Sequence, residues 1–187
     1  MSDLHTRLAH TAQLGPGVLG ELRELLGGAF GGEFSGEDFE HALGGMHVLV
    51  REGGEGREGG ELIAHGSVVQ RRVVHAGRAL RTGYVEAVAV RSDLRRRGLG
   101  GQVMAALEAV IARAYALGAL SASDAGAALY ASRGWSVWGG RVGTLAPSGP
   151  QALPEEEGST YLWVPDGGVL PDPAEGLWFD WRNGDVL

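Results

Sequence analysis

GYVEAVAVRSDLRRRGLGGQVM, the segment from Gly83 to Met104, joins a strand to a helix through a short loop rich in arginine and glycine. Its valine and alanine residues favour a buried strand. The apolar residues that follow recur at three- and four-residue steps, which predicts a helix over 101–117. The first N–H groups of such a helix have no partner within it, and the positive end of the helix dipole faces the loop. The junction therefore predicts an anion-binding site.

The sequence on either side of this junction predicts an α/β (α+β) domain with a mixed sheet. Two long strands, 62–74 and 79–90, are separated by Ala76-Gly77, where we expect the chain to turn. Ser35 and Asp38 resemble a capping box that opens a short helix. Elsewhere we expect a helix that ends at Gly27-Gly28, a strand over 46–51, a surface loop over 51–60, a helix from Ser123-Asp124 to Gly134, strands over 135–138 and 160–164, and an irregular tail.

Composition excludes several classes of protein. The chain has 187 residues, enough for one compact domain, and no cysteine, which excludes disulfides, zinc-thiolate sites and a cysteine acyl-enzyme. Residues 1–10 lack a basic start followed by an apolar run, and no later stretch approaches about 20 apolar residues, so we expect a cytoplasmic protein that does not enter membranes. Residues 151–187 hold the whole net charge of −7, which disfavours nucleic acid; the alternative is a solvated chain end. His47 and His65 lie singly in sequence, so we predict structural roles and no metal.

Arg95-x-x-Gly98-x-Gly100 in the loop resembles the R/Q-x-x-G-x-G/A signature with which the GNAT superfamily binds the pyrophosphate of coenzyme A. The alternative is a solvated helix entry, and the position between strand and helix favours the resemblance. It implies a GNAT fold, with a mixed, mostly antiparallel central sheet flanked by helices, and acetyl-CoA as the cosubstrate. It also implies a bulged strand before the loop, and it places the coenzyme at Val88, Val90, Arg95, Arg96, Arg97, Gly98, Leu99 and Gly100.

Longer segments of the chain resemble the aminoglycoside 2'-N-acetyltransferases of actinobacteria. The resemblance implies one GNAT domain over 1–187, with 165–187 as a docked tail at the substrate site. Trp178 and Trp181 agree with docking, because aromatic residues are unusual in a disordered tail. The chain departs from the family at 51–60, at 165–176 and in ending with Leu187 in place of Trp. The matching segments are AFGGEFSGEDFEHALGGMH (29–47), GYVEAVAVR (83–91), LYASRGW (129–135) and DWRNGDVL (180–187).

Acetyl transfer to an amine requires a group that accepts a proton from the ammonium and one that returns a proton to the departing thiolate. Glu86 is the only charged residue in 83–90, and the family places a general base here that acts through water. Its alternative role is an ion pair with a nearby arginine. Tyr130 resembles the superfamily tyrosine that protonates the thiolate; its alternative role is a core tyrosine with its hydroxyl bound elsewhere.

An aminoglycoside carries several ammonium groups, so carboxylates should surround its binding groove. For Asp38 the alternative is helix capping, for Asp185 a solvated chain end, and Glu156 replaces a shorter family Asp. At Leu187 only the terminal carboxylate is needed. The superfamily also suggests a homodimer. The family resemblance implies substrate contacts at Asp38, Glu86, Ser121, Glu156, Asp185 and Leu187.

Three functions remain open at this stage. The first is direct acetylation of the 2'-amine of aminoglycosides, with a contribution to antibiotic resistance. The second keeps the same fold and reaction but takes another amine, such as a cell-envelope amino sugar or a polyamine. The third is a non-catalytic acyl-CoA-binding module. Retention of Glu86, Tyr130 and the loop argues against the third function.

Overall fold

The computed structural model describes residues 3–54 and 59–187, so residues 55–58 of the predicted 51–60 loop lie outside the described residues. The chain forms two compact units, Met1–Val69 with Val85–Ala109 and Gln70–Tyr84 with Val110–Leu187. The helices are α1 (Pro16–Ala29), α2 (Gly36–His41), α3 (Leu99–Ala114) and α4 (Asp124–Ser132). The strands are β1 (Leu4–His10), β2 (Met46–Glu52), β3 (Glu61–His75), β4 (Arg78–Val90), β5 (Leu117–Ser121), β6 (Ser136–Val137), β7 (Val142–Ala146), β8 (Gly149–Ala152), β9 (Thr160–Trp163) and β10 (Leu177–Asp180).

In the first unit, β2 lies between β1 and β3 and is antiparallel to both. Helix α1 buries Leu22, Leu25 and Leu26, which share one face at helical spacing, in a cluster that also contains Phe39 of α2. Helix α3 packs closely on β3 because Gly66 has no side chain: a Cβ there would lie 2.6 Å from a methyl carbon of Val103. This packing places the first turns of α3 over the sheet of the first unit.

In the second unit, β5 pairs parallel with β4 and antiparallel with β9, and β9 also pairs with β6. Strand β10 pairs antiparallel with β3 and parallel with β7, which pairs in turn with β8. The end of α3 lies close to β4, since a Cβ on Gly83 would lie 3.0 Å from a side-chain carbon of Ile111 and 2.7 Å from the ring of Tyr115, which follows the helix. The sheet pairings are therefore mixed and mostly antiparallel, as predicted.

The structure confirms several local predictions. Ala76 and Gly77 both have positive φ, 47° and 73°, in the tight turn between the two long strands. Asp38 accepts a hydrogen bond from Ser35 N–H over 2.8 Å, while Ser35 Oγ accepts one from Asp38 N–H over 3.1 Å. This is the reciprocal capping box expected at the start of α2. None of the helices in the described part of the chain combines the length and apolar composition that a bilayer span needs.

Other predictions were wrong. Helix α3 ends at Ala114 and not at 117, because the N–H of Ala116 donates to the carbonyl of Arg81 on β4 over 2.8 Å, and the chain continues as a strand. Helix α1 continues through Gly27 and Gly28 to Ala29. The tail is not irregular throughout, since it contains β10. Strands β1, β5, β7 and β8 were not predicted, because they are short or stabilised by pairing partners distant in sequence.

Candidate active site

The loop before α3 has the geometry of an anion site. Arg96 and Gly98 have left-handed backbone conformations, with φ of 62° and 84°. Apart from its two chain neighbours, no atom of the described residues lies within 4 Å of the position that a Cβ on Gly98 would take, so backbone conformation and not crowding explains this glycine. Arg96, Arg97 and Gly98 are exposed, and α3 begins at the next residue, Leu99. Exposed cations and unshared first-turn N–H groups fit a pyrophosphate.

The side chain of Arg95 has a bracing role in this structure. Its Nη2 donates to the carbonyl of Ala29 at the end of α1 over 2.8 Å, and its Nε donates to the carbonyl of Val90 at the end of β4 over 3.3 Å. The guanidinium therefore ties the loop to two elements of the first unit. All three arginines, Arg95, Arg96 and Arg97, are exposed.

Strand β4 departs from regular geometry next to Glu86. The following residue, Ala87, has φ of 50°, a left-handed conformation that is uncommon for a residue with a Cβ. Glu86 itself is half-buried. A methyl carbon of Val88 lies 3.3 Å from the position of a Cβ on Gly66, so the Val88 side chain packs towards β3 and α3. An irregular strand at this point is the feature that the superfamily resemblance implies.

His47 and His65 lie singly in the sequence, but the fold brings them together. His47 Nδ1 lies 3.0 Å from His65 Nε2, His65 Nδ1 lies 2.9 Å from the carbonyl oxygen of Ala87, and His47 Nε2 lies 2.7 Å from Thr11 Oγ1. Burial lowers the pKa of His47 to about 4 and that of His65 to about 3. The neighbouring histidines, His10 for His47 and His47 for His65, contribute to these lowered pKa values after burial. Both rings are therefore neutral near pH 7.

Tyr130 projects from α4 into the core of the second unit and is 8 % exposed. Its ring centroid lies 6.3 Å from that of Trp135 and 6.1 Å from that of Tyr161. Gly126, one turn earlier, makes room for the ring, because a Cβ there would lie 3.0 Å from a ring carbon of Tyr130. The tyrosine ring is thus held in one orientation by aromatic neighbours and a glycine.

The structure brings two predicted substrate residues together. Ser121, at the end of β5, donates from Oγ to Glu156 Oε2 over 2.8 Å. Ser159, which the sequence analysis missed, donates to the same oxygen over 2.9 Å. Glu156 lies in a short 3₁₀ turn and is half-buried. Two hydroxyl donors orient its carboxylate, which can still accept from a cation.

The other predicted substrate residues lie elsewhere in the two units. Asp38, in the first unit, is half-buried and holds the N-terminus of α2, so the capping role is observed. Asp185 is exposed, and its carbonyl accepts from Arg182 Nε over 3.1 Å. Leu187 is half-buried and follows Val186, whose carbonyl accepts from the buried Arg71 over 2.7 Å. Tyr130, Ser121 and Glu156 belong to the second unit with this tail, and Glu86 belongs to the first.

The first unit also contains a cavity of about 430 Å³ near the end of β4 that the sequence analysis did not predict. Its charged lining comprises Glu21, Glu24, Glu61 and Arg91. Arg91 is already engaged, since it donates to Asp93 over 2.7 Å and to Glu61 over 2.5 Å. The remaining carboxylates would repel a phosphate, so this cavity does not match the expected pyrophosphate site.

Comparison with known proteins identifies the family. The family model for an acetyltransferase (GNAT) domain matches residues 19–138. An aminoglycoside 2'-N-acetyltransferase from Mycolicibacterium fortuitum is 46 % identical over 187 residues, which covers 98 % of this chain and 92 % of the relative. The resemblance inferred from the sequence is thereby confirmed.

Solved structures agree on the fold. A GNAT family N-acetyltransferase (YhbS) from Escherichia coli in complex with CoA superposes with a TM-score of 0.63 at 15 % identity, covering 96 % of this chain and 91 % of that one. A GNAT family acetyltransferase from Brucella melitensis in complex with acetyl-CoA superposes with a TM-score of 0.57 at 14 % identity, covering 91 % and 94 %. Together with the family match, these likenesses show that the chain belongs to the GNAT superfamily of acetyltransferases.

Proposed function

We propose that this protein transfers the acetyl group of acetyl-CoA to the 2'-amino group of aminoglycosides. The observation that carries the proposal is the junction of β4 and α3, where the left-handed Ala87 and Gly98 flank a loop with three exposed arginines. The choice of substrate rests on the M. fortuitum relative, which is an aminoglycoside 2'-N-acetyltransferase. The reaction itself follows from membership of the superfamily.

The loop binds the coenzyme in this proposal. First-turn N–H groups of α3 and the guanidinium groups of Arg96 and Arg97 bind the pyrophosphate, and Arg95 keeps the loop in place through its contacts with Ala29 and Val90. Backbone groups of Val88 and Val90 pair with the amides of pantetheine. Gly98 and Gly100 allow the phosphates to approach the backbone without a side chain in the way.

Transfer then proceeds directly between the two substrates. The substrate ammonium loses a proton through water to Glu86, and its nitrogen then attacks the thioester carbonyl carbon. As the carbon–sulfur bond breaks, the nitrogen releases a second proton to solvent, which leaves the neutral amide. Tyr130 donates its phenolic proton to the departing thiolate and recovers one from solvent. The chain has no cysteine to carry an acetyl group, so both substrates must be bound at once.

Carboxylates bind the remaining ammonium groups of the drug. Glu156, oriented by Ser121 and Ser159, is the best organised of them, because both hydroxyls donate to one oxygen and leave the other available. We propose that Asp38, Asp185 and the terminal carboxylate of Leu187 add further contacts, and that Asp38 combines this role with helix capping. The acidic residues of 151–187 attract the polycationic substrate.

The test is release of free thiol from acetyl-CoA with tobramycin, which has a 2'-amine, and with kanamycin A, which has a 2'-hydroxyl. We expect turnover of tobramycin alone, because kanamycin A lacks the nucleophile. Turnover of kanamycin A at a comparable rate would contradict acetylation of the 2' position. Turnover of neither drug, with acetyl-CoA bound normally, would refute the aminoglycoside assignment and favour another amine.

The two proposed catalytic groups are tested by conservative variants. Glu86→Gln and Tyr130→Phe should each lower kcat by about 10²- to 10⁴-fold, the usual contribution of a general base or acid, with acetyl-CoA binding retained. A variant with wild-type kcat would remove that residue from the mechanism. Glu108→Gln, a half-buried glutamate on α3, is the control for loss of a carboxylate elsewhere in the first unit.

The family resemblance extends the proposal to the organisation of the protein. It includes one GNAT domain over 1–187 with residues 165–187 at the substrate site, a homodimer, a cytoplasmic location and a contribution to aminoglycoside resistance. Light scattering of the purified protein tests the dimer. Expression in a susceptible host tests resistance, which should rise for tobramycin and stay unchanged for kanamycin A.

A further inference from the structure

We propose that Thr11, His47 and His65 form a directed chain of hydrogen bonds that holds the carbonyl group of Ala87 and thereby positions Glu86 for its part in the reaction. This inference rests on the proposed function of Glu86. Thr11 follows β1, His47 lies on β2, His65 on β3 and Ala87 on β4. The hydrogen bonds therefore cross the whole sheet of the first unit.

Strand pairing places the two rings next to each other. His47 lies opposite Ser67 and Leu49 lies opposite His65, so the histidines are diagonal neighbours on one face of the β2–β3 pair. Both are completely buried, with no exposed surface. A buried imidazole nitrogen without a partner would be costly, and here all four ring nitrogens have one, at 2.7, 3.0 and 2.9 Å along the chain.

The direction of every hydrogen bond in this series follows from its last acceptor, the carbonyl oxygen of Ala87. A carbonyl oxygen cannot donate, so His65 Nδ1 must carry the hydrogen that binds Ala87. A neutral His65 then has a bare Nε2, which accepts from His47 Nδ1–H. A neutral His47 in turn has a bare Nε2, which accepts the hydroxyl hydrogen of Thr11. Thr11 Oγ1 itself accepts from Gly44 N–H over 2.8 Å. The series of hydrogen bonds therefore begins at a backbone donor and ends at a backbone acceptor.

Ala87, the last residue in this series of hydrogen bonds, needs such support. Ala87 has φ of 50°, and a residue with a Cβ persists in this conformation only where its surroundings stabilise it. In a regular strand neighbouring side chains alternate between faces, so relaxation of Ala87 would turn Glu86 relative to Val88 and Val90. His65 is therefore a positioning residue, which acts through Ala87 on Glu86 and touches no substrate.

The variants separate this role from simple core packing. His65→Leu removes the donor to Ala87 and should lower kcat for tobramycin by about 10- to 100-fold, the usual cost of a misplaced catalytic group. His65→Asn keeps an amide N–H at the position of Nδ1 and should restore most of that loss. His75→Leu is the matched control, because His75 lies 3.3 Å through Nδ1 from the carbonyl of Gly176 in the second unit. It should leave kcat unchanged.

A double-variant comparison tests whether His65 acts through Glu86. In the Glu86→Gln background, His65→Leu should cause no further loss of kcat, because the group that it positions is already gone. Hydrogen exchange supplies a readout that does not depend on activity. His65→Leu should speed exchange of the β4 amides around Ala87, whereas His75→Leu should not.

The outcomes distinguish the two proposals. Wild-type kcat and unchanged β4 exchange in His65→Leu would overturn the positioning role and leave the proposed function standing. A full additional loss in the Glu86→Gln background would also overturn it. No turnover of tobramycin by the wild-type protein would refute the proposed function and, with it, the link to Glu86. The exchange experiment would then decide alone whether the histidine chain holds Ala87.

Discussion

Arg71 donates from Nη1 to the carbonyl oxygen of Val186 over 2.7 Å, and this contact fixes the backbone next to the C-terminal residue. The same guanidinium donates to the carbonyl of Asp180 over 2.6 Å and to its carboxylate over 2.8 Å. It also lies over the ring of Tyr84, 4.9 Å from the ring centroid. One buried side chain of β3 therefore holds both β10 and the end of the chain.

Replacement of this arginine should release the tail. In Arg71→Leu the two carbonyls lose their charged donor, and we expect the free energy of unfolding to fall by about 2 kcal/mol. Because Asp185 and Leu187 are proposed to contact the drug, KM for tobramycin should rise about tenfold while KM for acetyl-CoA stays constant. Urea unfolding and steady-state kinetics measure both effects. The control is Arg72→Leu, an exposed neighbour; equal effects in both variants would contradict the anchoring role.

The role of Gly98 in coenzyme binding can be tested by comparison with Gly77, which has a similar left-handed backbone conformation. Gly98 and Gly77 have φ of 84° and 73°, and a Cβ at either position would meet no atom within 4 Å in the described part of the protein beyond the two adjacent residues. Gly98→Ala and Gly77→Ala should therefore lose similar stability, about 1 kcal/mol, from the strain of a left-handed alanine. Only Gly98→Ala should weaken acetyl-CoA binding, by about tenfold in calorimetry. Equal binding by both variants would remove Gly98 from the coenzyme site.

The orientation of Tyr130 can be changed without touching the tyrosine. Gly126→Ala places a methyl group 3.0 Å from the ring and must displace it by a few tenths of an ångström or more. We expect kcat to fall about tenfold through misplacement of the hydroxyl, with acetyl-CoA binding unchanged. Gly20→Ala, within α1 and with no atom near its Cβ, is the matched control and should be neutral or stabilising. A wild-type kcat in Gly126→Ala would argue against Tyr130 as the acid.

The predictable parts of this protein are those with local causes. The turn at Ala76-Gly77, the capping box of Ser35 and Asp38, and the loop before α3 all depend on residues close in sequence, and each was predicted. The pairing of His47 with His65 depends on the register of two strands, which no local pattern specifies. Strand β10 was missed for the same reason, because its hydrogen-bonding partners are β3 and β7.

Among the site residues, too, the contacts that depend on residues distant in sequence were not predicted. Family resemblance pointed to Ser121 and Glu156 without indicating that they contact each other, and the hydrogen bond between them results from the fold. Ser159 carried no signal in the sequence, because a serine in a turn is ordinary. The bracing role of Arg95 was also hidden, since its acceptors are backbone carbonyls, one of them at Ala29, 66 residues earlier.

The contact between Ser121 and Glu156 predicts that substitutions at these two residues raise KM for tobramycin to different extents. Glu156→Gln removes the charge and should raise KM for tobramycin by about tenfold, as expected for loss of a hydrogen bond to a charged group. Ser121→Ala removes one of the two donors that orient the carboxylate, and the remaining Ser159 should limit the increase to about threefold. In neither variant should KM for acetyl-CoA change. A larger effect for the serine than for the glutamate would contradict this order.

The buried histidine pair predicts how stability depends on pH. In the unfolded chain each histidine has a pKa near 6.5, whereas in the folded protein burial lowers the pKa of His47 to about 4 and that of His65 to about 3. Below pH 6.5 the unfolded chain therefore binds protons that the folded protein excludes. The stabilisation is complete above pH 6.5 and is lost as the pH falls towards 4 for His47 and towards 3 for His65.

Each histidine should contribute a slope of about 1.4 kcal/mol of unfolding free energy per pH unit in this range. Urea unfolding between pH 6.5 and 5, above the range in which most carboxylates titrate, should therefore show a clear decrease for the wild-type protein. In His65→Asn one of the two groups is gone, so the slope should fall by about half, and His75→Asn serves as the control. A slope in His65→Asn that equals the wild-type slope would mean that His65 is protonated in the folded protein. The direction of the hydrogen bonds from Thr11 to Ala87 would then no longer be determined, because a protonated His65 donates from both ring nitrogens.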